Sequence, residues 1–193
     1  LQVAAATTCA IKPSDFPGIQ RPKVLVNEGD TVKAGTPILM DKAMEQVIYA
    51  SPVSGEIVEI KRGDKRKLLE IKILADAIVT HEKSGALDLG QDRATLAGKL
   101  AASGVWPNVI QRPFGIVANP ADNPKAIFVS GFDTHPLAPE VPFLLQGEER
   151  YFQAGIDALS KLTTGKVHLN VDGSKAVPAI FSGIKNAQVN QFS

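Results

Sequence analysis

Val26-Asn27-Glu28-Gly29-Asp30-Thr31-Val32, then Pro37-Ile38-Leu39-Met40-Asp41-Lys42-Ala43, then Val47-Ile48-Tyr49-Ala50-Ser51-Pro52-Val53-Ser54-Gly55-Glu56-Ile57-Val58, is a succession of short apolar runs parted by turn residues. Val24–Val26 runs into the turn Asn27–Asp30, where glycine supplies positive φ and aspartate bonds its own backbone. Ser51-Pro52 and Ser54-Gly55 punctuate before Glu56–Lys61, and Arg62-Gly63-Asp64 turns the chain again. Leu69, Ile71 and Ile73 alternate with Glu70 and Lys72, the period-2 pattern of a half-buried strand. Many short strands between Gly/Pro turns predict a small β-barrel or sandwich over residues 1–76. Val26–Lys33 is echoed by Ile60–Lys67, each placing Gly-Asp after an apolar strand. Two copies suit a pseudo-twofold barrel.

Downstream the pattern changes. Leu96, Ala97, Leu100 and Ala101 recur at helical spacing, with Asp92 placed to cap and Ser103-Gly104 to stop the helix. Pro107, Pro113, Pro120 and Pro124 mark a Pro-rich connection, and the domain boundary is expected within residues 77–124. Ala126–Val129 is a continuous apolar run and predicts a strand buried on both faces of a parallel sheet. Glu148–Thr163 reads as a helix, with Phe152, Gly155, Ile156, Leu159 and Leu162 on one stripe. Val167, Leu169 and Val171 then alternate with His168 and Asn170. Strand, helix and strand make a βαβ unit, the start of a Rossmann-like α/β domain over residues 125–193. The fold class expected is mixed α+β and α/β.

Composition excludes several functions. The 193 residues carry 21 Lys+Arg against 20 Asp+Glu, a net charge of +1 that gives no support to nucleic-acid binding by bulk charge, so no nucleic acid is expected as a partner. Cys9 is the single cysteine, so no internal disulfide forms. His81, His135 and His168 are scattered and give no zinc spacing, and no metal site is expected. No uncharged stretch approaches the ~18–20 residues of a membrane span. A start at Leu1 and a stop at Ser193, just past a strand-like run, lead us to expect a piece of a longer protein.

The quoted stretch resembles the biotinyl/lipoyl carrier fold, the barrel-sandwich hybrid. In that family Asp-Lys-Ala sits at a hairpin tip and the lysine carries the acyl arm, which makes Lys42 the attachment residue of an alternative, carrier-module reading. If Leu39 and Pro52 flank one hairpin, the tip falls between Glu45 and Gln46 and leaves Lys42 on the ascending arm. A barrel that keeps the carrier topology without the prosthetic group is therefore expected. In the α/β half, the strand Ala126–Val129 leads into Asp133, Thr134 and His135, where α/β sheets bind ligands. G-x-G-x-x-G and P-loop patterns are missing there, so the glycines that let a backbone approach a pyrophosphate are lacking. Phe16 and Phe114 each lie in a turn-rich loop with no amphipathic pattern to bury them, which leaves a contact surface and local packing as the two readings. The basic run Lys61, Arg62, Lys65, Arg66, Lys67 could touch anionic lipid or an acidic partner, but it is diluted by Glu56, Glu59, Asp64 and Glu70 and reads as a solvated hairpin. Trp106 reads as a packing anchor, and His168 as sharing a polar strand face with Asn170.

From about Pro13 to Ser193 the chain resembles the family of A subunits of bacterial Na⁺-translocating NADH:quinone oxidoreductases. The pieces that carry this are Glu28-Gly29-Asp30 with Val32-Lys33, Ser51-Pro52-Val53-Ser54-Gly55, Arg62-Gly63-Asp64-Lys65-Arg66, Ser103-Gly104-Val105-Trp106, Arg112-Pro113-Phe114, Ala126-Ile127-Phe128-Val129 and Asp133-Thr134-His135-Pro136-Leu137, in that order. The resemblance implies a peripheral subunit on the cytoplasmic face of the bacterial inner membrane. Its partners would be the other members of the complex, above all a membrane-embedded one. The complex is an electron-transport translocase that uses NADH, flavins, iron–sulfur centres, a quinone such as ubiquinone, and Na⁺. The resemblance implies no redox centre, no bound cofactor and no catalytic residue in this part, with quinone as a candidate ligand. The architecture is also similar to that of the C-type component of the Rnf complex and of the NADH-oxidising flavoprotein of complex I, which hold FMN or NADH on a Gly-rich loop. The matching stretch here, Ser103–Pro107, has one glycine. Phe16, Arg112 and Phe114 are the expected quinone-proximal or subunit-contact residues: Arg112 to donate to a quinone carbonyl, the rings to line a slot.

Overall fold

The computed structural model describes Ala6–Phe192, and Leu1–Ala5 and Ser193 lie outside the described residues. It divides into two compact units. The first takes the residues up to Leu87 together with Ala94–Ala121, and the second takes Asp88–Arg93 and the residues from Asp122 onward.

The first unit is built on two antiparallel sheets. Its strands are β1 (Thr8–Ile11), β2 (Pro22–Val24), β3 (Thr31–Val32), β4 (Pro37–Asp41), β5 (Met44–Ala50), β6 (Gly55–Arg62) and β7 (Leu68–Ala75). One sheet runs β1-β7-β6-β3 and the other β2-β4-β5. Each contributes an apolar inner face: Ile57, Leu68, Ile71 and Ile73 from the first, Ile38, Leu39, Val47 and Tyr49 from the second, all buried. The turn before β3 has Gly29 at φ 88°, and Asp30 Oδ2 accepts the Asn27 N–H at 2.7 Å. The turn is stitched to β6, since Gly29 N donates to the Ile57 carbonyl and Ile57 N to the Asp30 carbonyl. The helix α1 (Arg93–Ala102) buries Leu96, Ala97 and Ala101 and stops at Gly104, φ 84°. A 3₁₀ turn, Trp106–Asn108, and a short hairpin, β8 (Ile110–Gln111) with β9 (Ile116–Val117), complete the unit. Trp106 is 3% exposed and donates Nε1–H to the Ala118 carbonyl at 2.7 Å, a packing anchor with its polar atom satisfied.

Two local expectations are corrected. Strand β7 does not alternate evenly from Leu69: Leu68, Ile71 and Ile73 face inward and Leu69 is exposed. In the β6–β7 ladder Lys61 pairs Glu70 and Arg62 pairs Leu68, so Leu69 is an extra, bulged residue and the phase slips by one. Val58 is bulged in the same way between the Ile57 and Glu59 pairs and also faces out. The second correction is the β4–β5 hairpin. Asp41 pairs with Met44, so Lys42 and Ala43 form its turn, not Glu45 and Gln46. Met40 pairs with Ile48, which leaves Glu45, Gln46 and Val47 without ladder partners on one arm. The irregularity makes the arms unequal, and a midpoint taken from the flanks misses the tip.

The second unit is an α/β layer. Parallel strands β10 (Ala126–Ser130), β11 (Lys166–Asp172) and β12 (Gln188–Phe192) lie in the order β10-β11-β12. Helices α2 (Val141–Leu144) and α3 (Glu149–Ser160) join the first two strands, and α4 (Ala179–Ser182) joins the last two. Leu169, Val171 and Phe181 form its buried centre, with Val129, Phe152, Ile184 and Val189 packed around them. Phe152 and Phe181 meet at 5.5 Å between ring centroids. Strand β10 is not buried on both faces as its apolar run predicts: it is the sheet edge, and Phe128 is 68% exposed, stacked on His168 at 5.0 Å. His168 does share a polar face with Asn170, and the Asn190 side chain bonds both at 3.2 Å.

Candidate functional site

Three places carry the residues singled out by sequence. The first is the tip of the β4–β5 hairpin. Lys42 is exposed there, and its own N–H donates to the Arg21 carbonyl at 3.0 Å. Beneath it Asp41 is 5% exposed and accepts three backbone N–H groups: Gln20 on Oδ2 at 2.9 Å, and Arg21 and Ala43 on Oδ1 at 3.0 Å each. Burial pushes the Asp41 carboxyl up, but these donors and the Arg21 charge outweigh it and hold it below the ordinary carboxylate value. Tyr49, also buried, has its hydroxyl pushed up to about 12 by burial and by the Asp41 charge. The result is a rigid turn presenting an amine to solvent.

The second place is the loop pair of the first unit. Phe16 is half-buried and meets Tyr49 edge-on at 4.7 Å, so its ring packs onto the barrel wall. The residues after it follow β9: Val117 N donates to the Pro17 carbonyl at 3.1 Å, and a Cβ at Gly18 would press on Ile116 at 2.9 Å. Arg112 and Phe114 form the turn of the β8–β9 hairpin, where Arg112 is exposed and Phe114 is 71% exposed. Arg112 and Phe114 therefore share one turn, while Phe16 lies on the segment hydrogen-bonded to the base of that hairpin.

The third place is the carboxyl end of β10 and β11. A cleft of about 110 Å³ is lined there by Asp133, Glu140, Val171, Asp172, Lys175 and Phe181, among others. Asp133 lines it; Thr134 and His135 do not. Asp133 Oδ1 accepts the His135 N–H at 2.9 Å and lies 2.7 Å from His135 Nδ1, contacts that lower the Asp133 pKa and bind the loop to itself. Lys175 Nζ meets Glu140 Oε1 at 2.9 Å across the cleft. Glu140, Asp172 and Lys175 escaped the sequence reading; the end of a parallel strand at Asp172 and the loop Gly173-Ser174-Lys175 after it are the signal that finds Asp172 and Lys175, whereas Glu140, just before α2, has none.

The lining does not fit a dinucleotide or flavin phosphate. Three carboxylates face one lysine, and about 110 Å³ is well under the ~300 Å³ or more of ligand pockets. The Ser103–Pro107 stretch makes no cradle either. Gly104 ends α1, and a Cβ there would lie 2.5 Å from Ala50 Cβ, so the glycine serves close packing. Among the described residues no three His, Cys, Asp or Glu side chains gather as a metal site, and no helix is long and apolar enough to cross a membrane.

Residues 1–76 match the family described as NqrA N-terminal barrel-sandwich hybrid domain, and residues 91–193 match that described as NqrA second alpha/beta domain. Curated relatives that bear the name of the A subunit of a Na(+)-translocating NADH-quinone reductase are similar along the chain. That of Marinomonas sp. (strain MWYL1) is 37% identical over 98% of this chain and 42% of its own length. That of Vibrio vulnificus is 37% identical over 87% and 38%, and that of Yersinia pseudotuberculosis 36% identical over 81% and 36%. The chain thus spans about two fifths of the length of the relatives it matches.

Proposed function

This chain belongs to the NqrA family, and from that premise we propose that it serves as a peripheral part of a Na⁺-translocating NADH:quinone reductase on the cytoplasmic face of a bacterial inner membrane. It works by docking and by shaping the quinone-proximal surface, with no redox group of its own. The observation that carries this is the ordered match of both domains to one family. An α/β cleft too small and too acidic for a dinucleotide, and a stretch whose one glycine is consumed by packing, support the cofactor-free part. Electrons then enter and leave through other subunits.

The Arg112–Phe114 turn is the surface we assign to quinone or to a neighbouring subunit. A guanidinium can donate to a quinone carbonyl while an exposed ring covers the ring face. Phe16, seated on Tyr49, supports the base of this surface. Arg112→Ala with Phe114→Ala, in the assembled complex, is expected to weaken binding of a photoreactive quinone analogue about tenfold or more. Full labelling and full quinone reduction by that variant would overturn the assignment.

Lys42 favours a second reading. The structure puts it in the hairpin turn, the position a swinging acyl arm requires. The arm would be joined by an amide from Lys42 Nζ to a lipoyl or biotinyl carboxylate. Intact mass of the same native complex distinguishes the two: the docking account predicts an unmodified Lys42, and an acyl adduct there establishes the carrier.

A further inference from the structure

The basic run at the end of β6 changes character once folded. Its diluting carboxylates are drawn away down the strands. Glu59 meets Lys72 at 2.5 Å, and Glu70 lies 3.5 Å from both Lys61 and Lys72 and 3.9 Å from Lys12. What remains between β6 and β7 is Arg62, Lys65, Arg66 and Lys67 around the single carboxylate of Asp64, all exposed. Among the described residues none of these four cations forms an ion pair. Two of them are held in a conformation that side chains avoid: Lys65 at φ 52° and Arg66 at φ 63°. Glycine would make this turn with less strain, yet the turn carries two long cations. Leu69, the bulged residue of β7, lies over Gly63, 3.2 Å from where a Cβ would stand, and is 39% exposed beside the cations.

We propose that the β6–β7 tip is a contact for anionic lipid headgroups, with Arg62, Lys65, Arg66 and Lys67 on the phosphates and Leu69 at the headgroup boundary. Arg62 Nη1 donates to the Arg66 carbonyl at 3.3 Å, and among the described residues no carboxylate pairs with any of the four cations. Exposed cations without carboxylate partners, flanked by one apolar side chain, suit a laterally fluid layer of phosphates. The inference rests on the peripheral-component reading and adds to it the surface by which the chain meets the bilayer.

The test is co-sedimentation of this chain with equimolar phosphatidylcholine–phosphatidylglycerol vesicles and with phosphatidylcholine alone, alongside co-purification of the tagged chain with the other reductase subunits. Each cation at an anionic surface contributes about fivefold to partitioning. Lys65→Asn with Arg66→Asn, residues that tolerate the left-handed backbone, is therefore expected to weaken sedimentation roughly 25-fold with an unchanged thermal melt. Lys83→Gln with Lys99→Gln, equal in charge, is expected to leave it within about twofold. Salt abolishes the binding, and pure phosphatidylcholine shows none. No sedimentation of the unaltered chain with the anionic vesicles, or equal loss in both variants, or no loss in the first, overturns the proposal. Intact vesicle binding by K65N/R66N together with its loss from the complex assigns the tip to an acidic protein surface instead. Failure of the unaltered chain to co-purify with any other part of the reductase overturns the underlying reading, whatever the vesicles show.

Discussion

Asp41 is the residue on which the hairpin tip depends. Its carboxylate gathers three backbone donors that would otherwise lie at a loop junction, and holds Gln20–Arg21 against the Lys42 turn. Such a charge-assisted cluster is worth about 1.5–3 kcal/mol per bond when a partner is removed, less what water recovers. Asp41→Asn keeps one acceptor oxygen, and we expect it to lose roughly 2 kcal/mol at neutral pH. Because the folded carboxyl titrates below its ordinary 3.8, its stabilisation is complete above that value and fades as pH falls through the lower, folded one. Urea unfolding at neutral pH and near pH 3 should therefore show the gap between wild type and variant narrowing in acid; a gap of constant size contradicts the role. The motif Asp-Lys-Ala is legible in the sequence. Its placement is not, because the three unpaired residues Glu45–Val47 lengthen one arm and leave no signature in composition or periodicity.

Among the elements, the β6–β7 pair shows why register is hard to read from alternation alone. Val58 and Leu69 look like core residues by type, and each is extruded by a bulge. The start of β6 is fixed more strongly. Gly55 sits at φ 153°, and a Cβ there would overlap the Leu74 carbonyl oxygen, a backbone atom that moves only if the ladder opens. Gly55→Ala is expected to destabilise the barrel by about 3 kcal/mol, read as a lower denaturation midpoint, whereas Gly29→Ala, with open space around it, should cost about 1 kcal/mol from its φ alone. Equal effects would mean that the close approach carries no weight. Strand β10 is a further limit on legibility. Ala126–Val129 has the composition of a central strand, but its place at the sheet edge is set by which strands pair with it, a fact of topology and not of local sequence.

At the scale of the molecule, the order of the two folds was legible from turn residues and from the change of apolar period. The order of motifs then carried the family, which both domain matches establish. The site was legible in part. The strand end at Asp133 follows from topology, while Asp172, the last residue of β11, and Glu140 and Lys175, from loops distant in sequence, line the same cleft. Those carboxylates give the cleft its acidic lining. In the function proposed above, this chain acts by docking, defined by the proteins around it more than by chemistry inside it. The direct test is quantitative mass spectrometry of what the affinity-tagged protein retains from native membranes. Stoichiometric recovery of the membrane-embedded subunits of a Na⁺-translocating NADH:quinone reductase is the predicted result, and recovery of the tagged protein without them contradicts it.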